Sequence, residues 1–219
     1  DKEVDEIILL NIQATRKGLE PNYKKIREIC SEAFMPFGYG GGITTLNHAK
    51  KVFDAGIEKV VLNTAAFEKP QLIREIAKTY GSQSVVVSVD VKKNVFGKKI
   101  VYTHSGSKRT GRSPEEFAKQ AVDHGAGEII LNSIDREGTY TGFDLDTIHD
   151  VSKTIRVPLV ALGGAASMDD FEKAVKAGAS AVSAGSLFVY SGRERGILIN
   201  YPSPDKINEF NHRVHRDYR

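Results

Sequence analysis

Apolar runs rich in β-branched residues alternate with amphipathic stretches along most of this chain. Near-continuous apolar runs are typical of parallel strands that are buried on both faces. The pattern predicts strands at Ile7–Ile12, Phe34–Tyr39, Lys59–Leu62, Ser84–Asp90, Glu128–Ile134, Val157–Leu162 and Ala179–Ala184.

The stretches between these runs have helical periodicity and helix-terminating residues. Thr44 or Thr45, Ser113 before a proline, and Ser167 are suitable N-caps, and Gly56 and Gly178 lie where a helix would end. Helices are predicted at Asn22–Ala33, Thr45–Ala55, Lys69–Tyr80, Pro114–His124, Leu145–Lys153 and Met168–Ala177. Strands alternating with helices predict an α/β protein with a parallel sheet.

Two segments depart from this alternation. The basic, glycine-containing stretch Lys92–Gly111 follows the fourth predicted strand and is interpreted as a hairpin or mobile loop. The polar C-terminal residues predict a peripheral helix or tail. We therefore expect a main domain over residues 1–203 and a C-terminal helix or tail over 204–219.

The chain also contains an internal repeat. An offset of 122 residues aligns 1–66 with 123–188 without a gap, and 14 of the 66 positions are identical, among them Glu6/Glu128 and Gly41/Gly163. A period of that length holds about four βα units, which predicts a TIM (β/α)8 barrel built from two half-barrel repeats. The strand ending at Asp90 then has its repeat partner before Asp1, so we expect the first βα unit to be missing from this chain.

Composition narrows the possible functions. The chain has 219 residues, a net charge of +3 and one cysteine, Cys30, which leaves no disulfide framework and no cysteine-only metal cluster. No apolar run approaches the roughly 18 residues that a membrane span needs. The composition gives no reason to expect a nucleic-acid partner, and no metal or redox cofactor is indicated.

Candidate chemistry lies at the strand ends, because TIM barrels carry their active sites at the carboxyl ends of the strands. Glycine pairs end two predicted strands, and small or hydroxyl residues end the strands that follow them. Such loops let backbone N–H groups approach a phosphate, although glycine also serves tight turns. The repeat relates the two sets, which suggests a ligand with a phosphate at each end. The sets are Gly41, Gly42, Asn63 and Thr64, and Gly163, Gly164, Gly185 and Ser186.

Carboxylates supply the remaining candidates. Asp90 ends a strongly apolar run, where a carboxylate is costly unless it has a function, and a general acid or base is the natural role. Asp135 and Glu137 are predicted either to bind a ribose or to order a loop. Glu6, Lys59 and Glu128 lie at the opposite, amino-terminal strand ends. Charged residues there are interpreted either as functional or as a salt-bridged barrel floor that only adds stability.

Several motifs together resemble HisF, the cyclase subunit of imidazole glycerol phosphate synthase. The resemblance covers about residues 3–190, and its motifs are Phe37-Gly38-Tyr39-Gly40-Gly41-Gly42-Ile43, Leu62-Asn63-Thr64-Ala65-Ala66, Gly81-Ser82-Gln83-Ser84-Val85-Val86-Val87, Gly125-Ala126-Gly127-Glu128-Ile129 and Ser133-Ile134-Asp135-Arg136-Glu137-Gly138-Thr139.

The resemblance implies a cytoplasmic lyase or cyclase of histidine biosynthesis that takes ammonia from a HisH-like glutaminase subunit. Its substrate is the two-phosphate phosphoribulosyl formimino aminoimidazole carboxamide ribotide. Asp90 matches one of two catalytic aspartates of the family, and the other belongs to the expected missing strand. The matched substrate- and phosphate-binding residues are Gly42, Asn63 and Thr64 at one site, and Gly138, Gly164, Gly185 and Ser186 at the other. Ser105, Asp135, Glu137 and Gly163 are further expected contacts with the substrate.

Glu6, Lys59 and Glu128 match three members of a charged gate through which ammonia enters the barrel floor in the family. We call these three residues the charged floor.

The chain departs from the family pattern at several positions. Asn11 and Glu137 stand where aspartate is usual, Gly38 where threonine is usual and Leu162 where serine is usual. Its ending, Gly192–Pro202, is similar to the paralogue WbuZ of surface-polysaccharide clusters, which implies the alternative of ammonia supply for sugar amidation. A non-catalytic phosphate-binding barrel or partner scaffold is the third alternative.

Overall fold

The computed structural model describes residues 4–32, 35–191, 196–199 and 201–216. The strands are β1 (Ile7–Leu10), β2 (Phe37–Gly40), β3 (Lys59–Leu62), β4 (Val85–Lys93), β5 (Lys99–Thr103), β6 (Lys108–Arg109), β7 (Glu128–Ser133), β8 (Leu159–Leu162), β9 (Ala181–Ser183), β10 (Tyr190–Ser191) and β11 (Gly196–Ile197). The helices are α1 (Ala14–Lys17), α2 (Tyr23–Ser31), α3 (Leu46–Phe53), α4 (Thr64–Glu68), α5 (Gln71–Tyr80), α6 (Pro114–Asp123), α7 (Leu145–Ser152), α8 (Met168–Lys176), α9 (Ser186–Val189) and α10 (Pro204–Arg216).

A curved parallel sheet forms the centre of the molecule. Its strand order is β1-β2-β3-β4-β7-β8-β9, and every neighbouring pair in this order is parallel. Helices cover its outer face, and the large apolar core lies between the two layers. This is the α/β TIM-barrel architecture that the alternation and the repeat predicted. The absence of a first βα unit stays a prediction, because the strand order concerns only the described residues.

The internal repeat is present in the strand register itself. Ile7 pairs with Phe37 in the first repeat, and Ile129 pairs with Leu159, each 122 residues further on, in the second. The same holds for the next strand pair, where Gly38 pairs with Lys59 and Val160 with Ala181. The two halves of the sequence therefore form equivalent βαβ units and not merely similar lists of elements.

The helix starts follow the capping residues in the sequence. Thr45 accepts a hydrogen bond from the backbone N–H of His48, and its repeat partner Ser167 accepts one from Asp170. Ser113 and Glu116 form a reciprocal capping box around Pro114 at the start of α6. These bonds satisfy backbone donors that the first helical turn leaves open.

Lys92–Gly111 forms a hairpin extension of the sheet. β5 pairs antiparallel with the end of β4, and β6 pairs with β5. The C-terminal segment contains helix α10, where Phe210 packs against Phe171 of α8 with ring centroids 6.4 Å apart. The boundary after residue 203 stays a prediction. The last residue of the predicted helix Asn22–Ala33, the first residue of the predicted strand Phe34–Tyr39, and residues 192–195, 200 and 217–219 lie outside the described residues.

Candidate active site

A cavity of about 200 Å³ opens at the carboxyl ends of the parallel strands. It is bordered by the segments that follow β1, β2 and β3 and by the inward-facing side chains of β4 and β7. Of the residues predicted from the sequence, those that line it are Gly41, Gly42, Asn63, Thr64, Asp90 and Ser105.

Asp90 lies on the inner face of β4, where two side chains donate to one of its carboxyl oxygens. The Ser88 hydroxyl donates to Oδ1 over 2.8 Å, and the Asn132 amide donates to the same atom over 3.1 Å. Burial raises the pKa of Asp90, although these hydrogen bonds and the Lys92 ammonium act in the opposite direction. A carboxyl in this state holds its proton to higher pH than an exposed aspartate and suits general acid–base chemistry.

The first glycine-rich end surrounds the cavity with backbone. Gly41 and Gly42 have φ values of +115° and +75°, and a Cβ atom at Gly41 would collide with the carbonyl group of Asn11. The glycines are therefore required by close backbone approach, whatever they also bind.

The polar side chains at the end of β3 are engaged with protein atoms. The Asn63 amide donates to the carbonyl oxygens of Ser88 and Tyr102, over 3.0 and 3.2 Å. The Thr64 hydroxyl accepts from the backbone N–H of His104 over 2.9 Å. These bonds fix the start of α4 at the cavity, so that a ligand there would meet its backbone.

A strained loop after β5 crosses to the segment after β1. His104 and Ser105 have φ values of +52° and +54°, which non-glycine residues rarely adopt. The Ser105 hydroxyl donates to the carbonyl oxygen of Ile12 over 2.6 Å, and the Arg16 guanidinium donates to the carbonyl oxygen of Ser105 over 2.8 Å. The loop thereby forms one wall of the cavity.

At the second glycine-rich end, a side chain of the protein itself occupies the position predicted for a phosphate. The Glu137 carboxylate accepts hydrogen bonds from the backbone N–H and the hydroxyl of Ser186, over 3.3 and 3.0 Å. Gly163 approaches the carbonyl of Ser133 just as Gly41 approaches Asn11, and the carbonyl oxygen of Gly164 accepts from the N–H of Gly142 over 2.7 Å.

Other members of the second set stand around this contact. Gly138 has a φ of +72°, and Gly185 immediately precedes α9. Asp135 accepts from the backbone N–H of Lys93 over 2.8 Å and so ties the end of β7 to the end of β4. Of its two predicted roles, ordering a loop is the one that this contact supports.

The charged floor closes the opposite end of the sheet's concave face. The Lys59 ammonium lies 2.8 Å from the carboxylate of Glu6 and 2.9 Å from that of Glu128. Burial alone would lower the pKa of Lys59, but the hydrogen bonds to both carboxylates outweigh it and raise the pKa above its usual value. Lys59 is therefore held as a cation.

An apolar layer separates the charged floor from Asp90. It consists of side chains on the concave face of five strands: Ile8, Val61, Val86, Ile130, Val160 and Leu162. The concave face thus has three levels, which are a charged floor, an apolar layer and a polar cavity.

Sequence reasoning missed three residues of this site. Ser88 and Asn132 hold Asp90, and Arg16 holds the Ser105 loop. The two-residue period of a strand puts Ser88 on the same face as Asp90, which is a usable signal. Asn132 needed the register between β4 and β7, in which it stands directly opposite Asp90.

The fold and the position of the cavity define an α/β protein of the TIM-barrel class. Within that class the chain belongs to the histidine biosynthesis protein family, whose model matches residues 1–194. None of the helices in the described part of the chain is long and apolar enough to cross a membrane.

Three similar proteins are each named, two of them provisionally, as a subunit of imidazole glycerol phosphate synthase. A Pseudomonas aeruginosa protein, assigned provisionally as imidazole glycerol phosphate synthase subunit hisF2, is 48% identical over 212 residues, covering 95% of this chain and 83% of that protein. A Vibrio vulnificus protein, assigned provisionally as subunit hisF3, is 45% identical over 211 residues, covering 94% and 80%. The imidazole glycerol phosphate synthase subunit HisF of Thermobifida fusca is 42% identical over 189 residues, covering 84% and 74%.

Proposed function

We propose that this protein is a HisF-type cyclase subunit that uses ammonia on the two-phosphate ribotide and forms imidazole glycerol phosphate and aminoimidazole carboxamide ribotide. The observation that carries the proposal is the position of Asp90, which borders the cavity at the carboxyl strand ends directly above the apolar layer. Relatives at 42–48% identity, all named as subunits of imidazole glycerol phosphate synthase, support the same reaction.

The three levels of the concave face support ammonia as the nitrogen source. Neutral ammonia can cross an apolar layer that strongly disfavours ions, because an unpaired charge is costly to take out of water. The charged floor stands at the entry side of that layer, and Asp90 stands at its exit. A HisH-like glutaminase subunit bound below the floor would deliver ammonia without releasing it to water.

Asp90 is the group proposed to move protons. A nitrogen that adds to the substrate must lose protons, and the departing amine must gain one. The raised pKa of Asp90 lets one carboxyl accept a proton and return it at a pH nearer neutrality.

The two repeat-related strand ends are proposed to hold the two phosphates of the substrate. Gly42, Asn63 and Thr64 supply one site, and Gly138, Gly163, Gly164, Gly185 and Ser186 supply the other. Both sites combine glycine backbone with the start of a short helix, an arrangement that presents N–H groups to anions. Ser105 would contact the substrate from the loop after β5.

Turnover tests the proposed reaction. The full-length protein is incubated with the ribotide and an ammonium salt at alkaline pH, where free ammonia is abundant, and both products are quantified. We expect equimolar imidazole glycerol phosphate and aminoimidazole carboxamide ribotide. Ribotide that remains unchanged, under conditions in which the protein is folded, would remove histidine-type cyclisation from consideration.

One contact favours the second candidate, ammonia supply for sugar amidation in the WbuZ manner. The Glu137 carboxylate occupies the N–H and hydroxyl of Ser186, which a second phosphate would need. An acceptor without a second phosphate would leave this contact undisturbed.

Ribotide affinity separates the two candidates, with Glu75→Ala on the exposed face of α5 as control. The cyclase must displace Glu137, so wild type and Glu137→Ala should bind the ribotide within about tenfold of each other. The sugar-amidation candidate predicts no detectable binding by wild type and a clear gain in Glu137→Ala. Equal binding of the ribotide by both proteins, without turnover by either, would favour the non-catalytic phosphate-binding barrel or partner scaffold.

A further inference from the structure

Asn132 stands opposite Asp90 on the concave face, one strand away. The two residues are partners in the parallel register of β4 and β7, and both border the cavity. The Asn132 amide and the Ser88 hydroxyl both donate to Oδ1 of Asp90. Among the described residues, Oδ2 of Asp90 accepts no hydrogen bond. The carboxyl therefore has one oxygen fixed by protein and one left for another partner.

The side-chain oxygen of Asn132 lowers the stability of the fold, because a buried acceptor without a hydrogen bond is costly. Oδ1 of Asn132 is buried and has no hydrogen-bond partner among the residues that the structure describes. Ile130 lies below it on the same face, and Leu162 is its register partner on β8. An apolar side chain at this position would leave no orphaned acceptor, so packing alone does not favour asparagine here.

We propose that Asn132 is a positioning residue for Asp90: together with Ser88 it fixes Oδ1, so that Oδ2 is the oxygen that exchanges protons with the substrate. The inference rests on the proposed function in one respect, namely that Asp90 moves the protons. The destabilising oxygen of Asn132 is retained because the same amide supplies the N–H that holds Asp90. A buried polar atom without a hydrogen-bond partner costs stability, and such a cost beside a reacting group is expected at functional sites.

The charges that face Asp90 are few. Lys92, on the same strand, favours its ionised form, and the Lys92 ammonium itself donates to the carbonyl oxygen of Gly106 over 2.9 Å. The neighbouring strands β3 and β7 bring the uncharged side chains of Asn63 and Asn132 to this level, and β5 brings Tyr102 opposite Asp90. Glu68 and Lys69 border the same cavity, and Glu68 pairs with Lys108 at 3.4 Å. Without the Asn132 N–H, fewer interactions oppose the effect of burial, which raises the pKa of Asp90.

The test compares two variants that have the same shape. Asn132→Val removes the donor, and Asn132→Thr keeps a hydroxyl donor on an otherwise equivalent side chain. The full-length protein is assayed for kcat across pH with ribotide and ammonium. We expect kcat of Asn132→Val to fall about tenfold, the worth of one lost hydrogen bond, and the pH limb due to Asp90 to move to higher pH. Asn132→Thr should recover most of both.

Denaturant midpoints check that both variants are folded. Asn132→Thr should unfold near the wild-type midpoint, because it removes the orphaned oxygen and keeps a donor for Asp90. Asn132→Val also loses that donor, so its midpoint should lie below that of Asn132→Thr at neutral pH. Equal kcat and equal pH profiles for the valine and threonine variants would overturn the positioning role, whatever their stability.

A second readout does not need turnover. The Asp90 carboxyl is titrated by ¹³C NMR in wild type and in both variants, and the inference expects a higher pKa in Asn132→Val than in Asn132→Thr. Wild type without turnover would refute the proposed function, while this titration would still decide whether Asn132 sets the state of Asp90. Identical pKa values in the two variants would refute the inference alone.

Discussion

Asp90 shows how a single residue balances opposing interactions. Burial at the end of an apolar strand penalises its charge, while Ser88, Asn132 and Lys92 favour the charge. The penalty outweighs these contacts, so the pKa stands above the usual value for aspartate. The same imbalance that costs stability brings the group closer to the pH at which it can exchange protons.

Stability should depend on pH through Asp90. A raised pKa means that the folded protein holds this proton more tightly than the unfolded chain does. The free energy of unfolding therefore falls as pH rises from the unfolded pKa towards the folded one, and the cost is fully present above the folded pKa. We expect Asp90→Asn to raise the denaturant midpoint at pH 7 by more than at pH 3.

The matched control for this measurement is Asp123→Asn, at the exposed end of α6. The shift in denaturant midpoint that this substitution causes, relative to wild type, should be the same at pH 3 and pH 7. A midpoint for Asp90→Asn that falls at pH 7 relative to wild type would mean that the hydrogen bonds outweigh burial.

Asp90 was predictable from sequence, but its immediate partners were not. A carboxylate that ends an apolar run stands out without knowledge of any contact. Asn132 follows a similar run and carries no charge, so its importance comes from a register that only the assembled sheet defines. Glu137 was a candidate from its position, yet its contact with Ser186 depends on residues 49 positions apart.

At the scale of elements, the repeat explains why both glycine-rich ends have the same geometry. Gly41 and Gly163 have φ values of +115° and +101°, and a Cβ atom on either would collide with the backbone that ends the neighbouring strand, at Asn11 or at Ser133. These contacts are 122 residues apart on both sides, as the repeat requires.

Alanine substitution should affect the two glycines alike. Gly41→Ala and Gly163→Ala combine a disfavoured φ with a backbone collision, so each should lower the free energy of unfolding by about 2 kcal/mol or more. Gly18→Ala is the control, because Gly18 has a φ of +61° but open space around it, and it should cost about 1 kcal/mol. Chemical denaturation measures all three, and a milder effect at either repeat position than at Gly18 would contradict the account.

Element bounds were predictable where side chains carry the signal. β3 runs over Lys59–Leu62, as predicted, and the capping residues of α3, α6 and α8 lie at the predicted starts. β1 ends earlier than its apolar run, because the side chain of Asn11 accepts from the N–H groups of Gln13 and Ala14 and turns the chain.

The short helices α4 and α9 escaped prediction. α4 has five residues and α9 has four, too few for the 3.6-residue helical period to repeat in the sequence, and each follows directly on a strand end.

At the scale of the whole molecule, Lys59 links distant parts of the sheet. It lies on β3, while Glu6 precedes β1 and Glu128 begins β7, so one ammonium joins three strands that are not neighbours in the sheet. All three side chains are less than one-third exposed. Their ion pairs are therefore screened less than surface pairs.

Removal of this ammonium should be costly. Lys59→Met keeps the length of the side chain but leaves two partly buried carboxylates facing each other, and we expect a loss of about 1–3 kcal/mol in the free energy of unfolding. Lys173→Met is the control, because Lys173 pairs with Asp170 while its side chain is 60% exposed, and it should cost less than about 0.5 kcal/mol. Equal effects of the two substitutions would show that the charged floor adds no particular stability.

The architecture as a whole followed from the sequence more securely than the site did. Alternation and a gapless repeat determine the α/β class and the barrel type, because both depend on periodicity along the chain. The three levels of the concave face depend on which residues of separate strands meet. The charged residues and Asp90 were predicted at opposite strand ends, but the apolar layer between them was not predicted.

The most direct test of the account is the turnover of the ribotide with ammonium by Asp90→Asn, measured beside wild type and the Asp123→Asn control. Asparagine keeps the shape of the side chain and cannot exchange the proton, so we predict that kcat falls by about 10²-fold or more while Asp123→Asn matches wild type. A kcat for Asp90→Asn within a few-fold of wild type would contradict the central claim that Asp90 carries the chemistry at the strand ends.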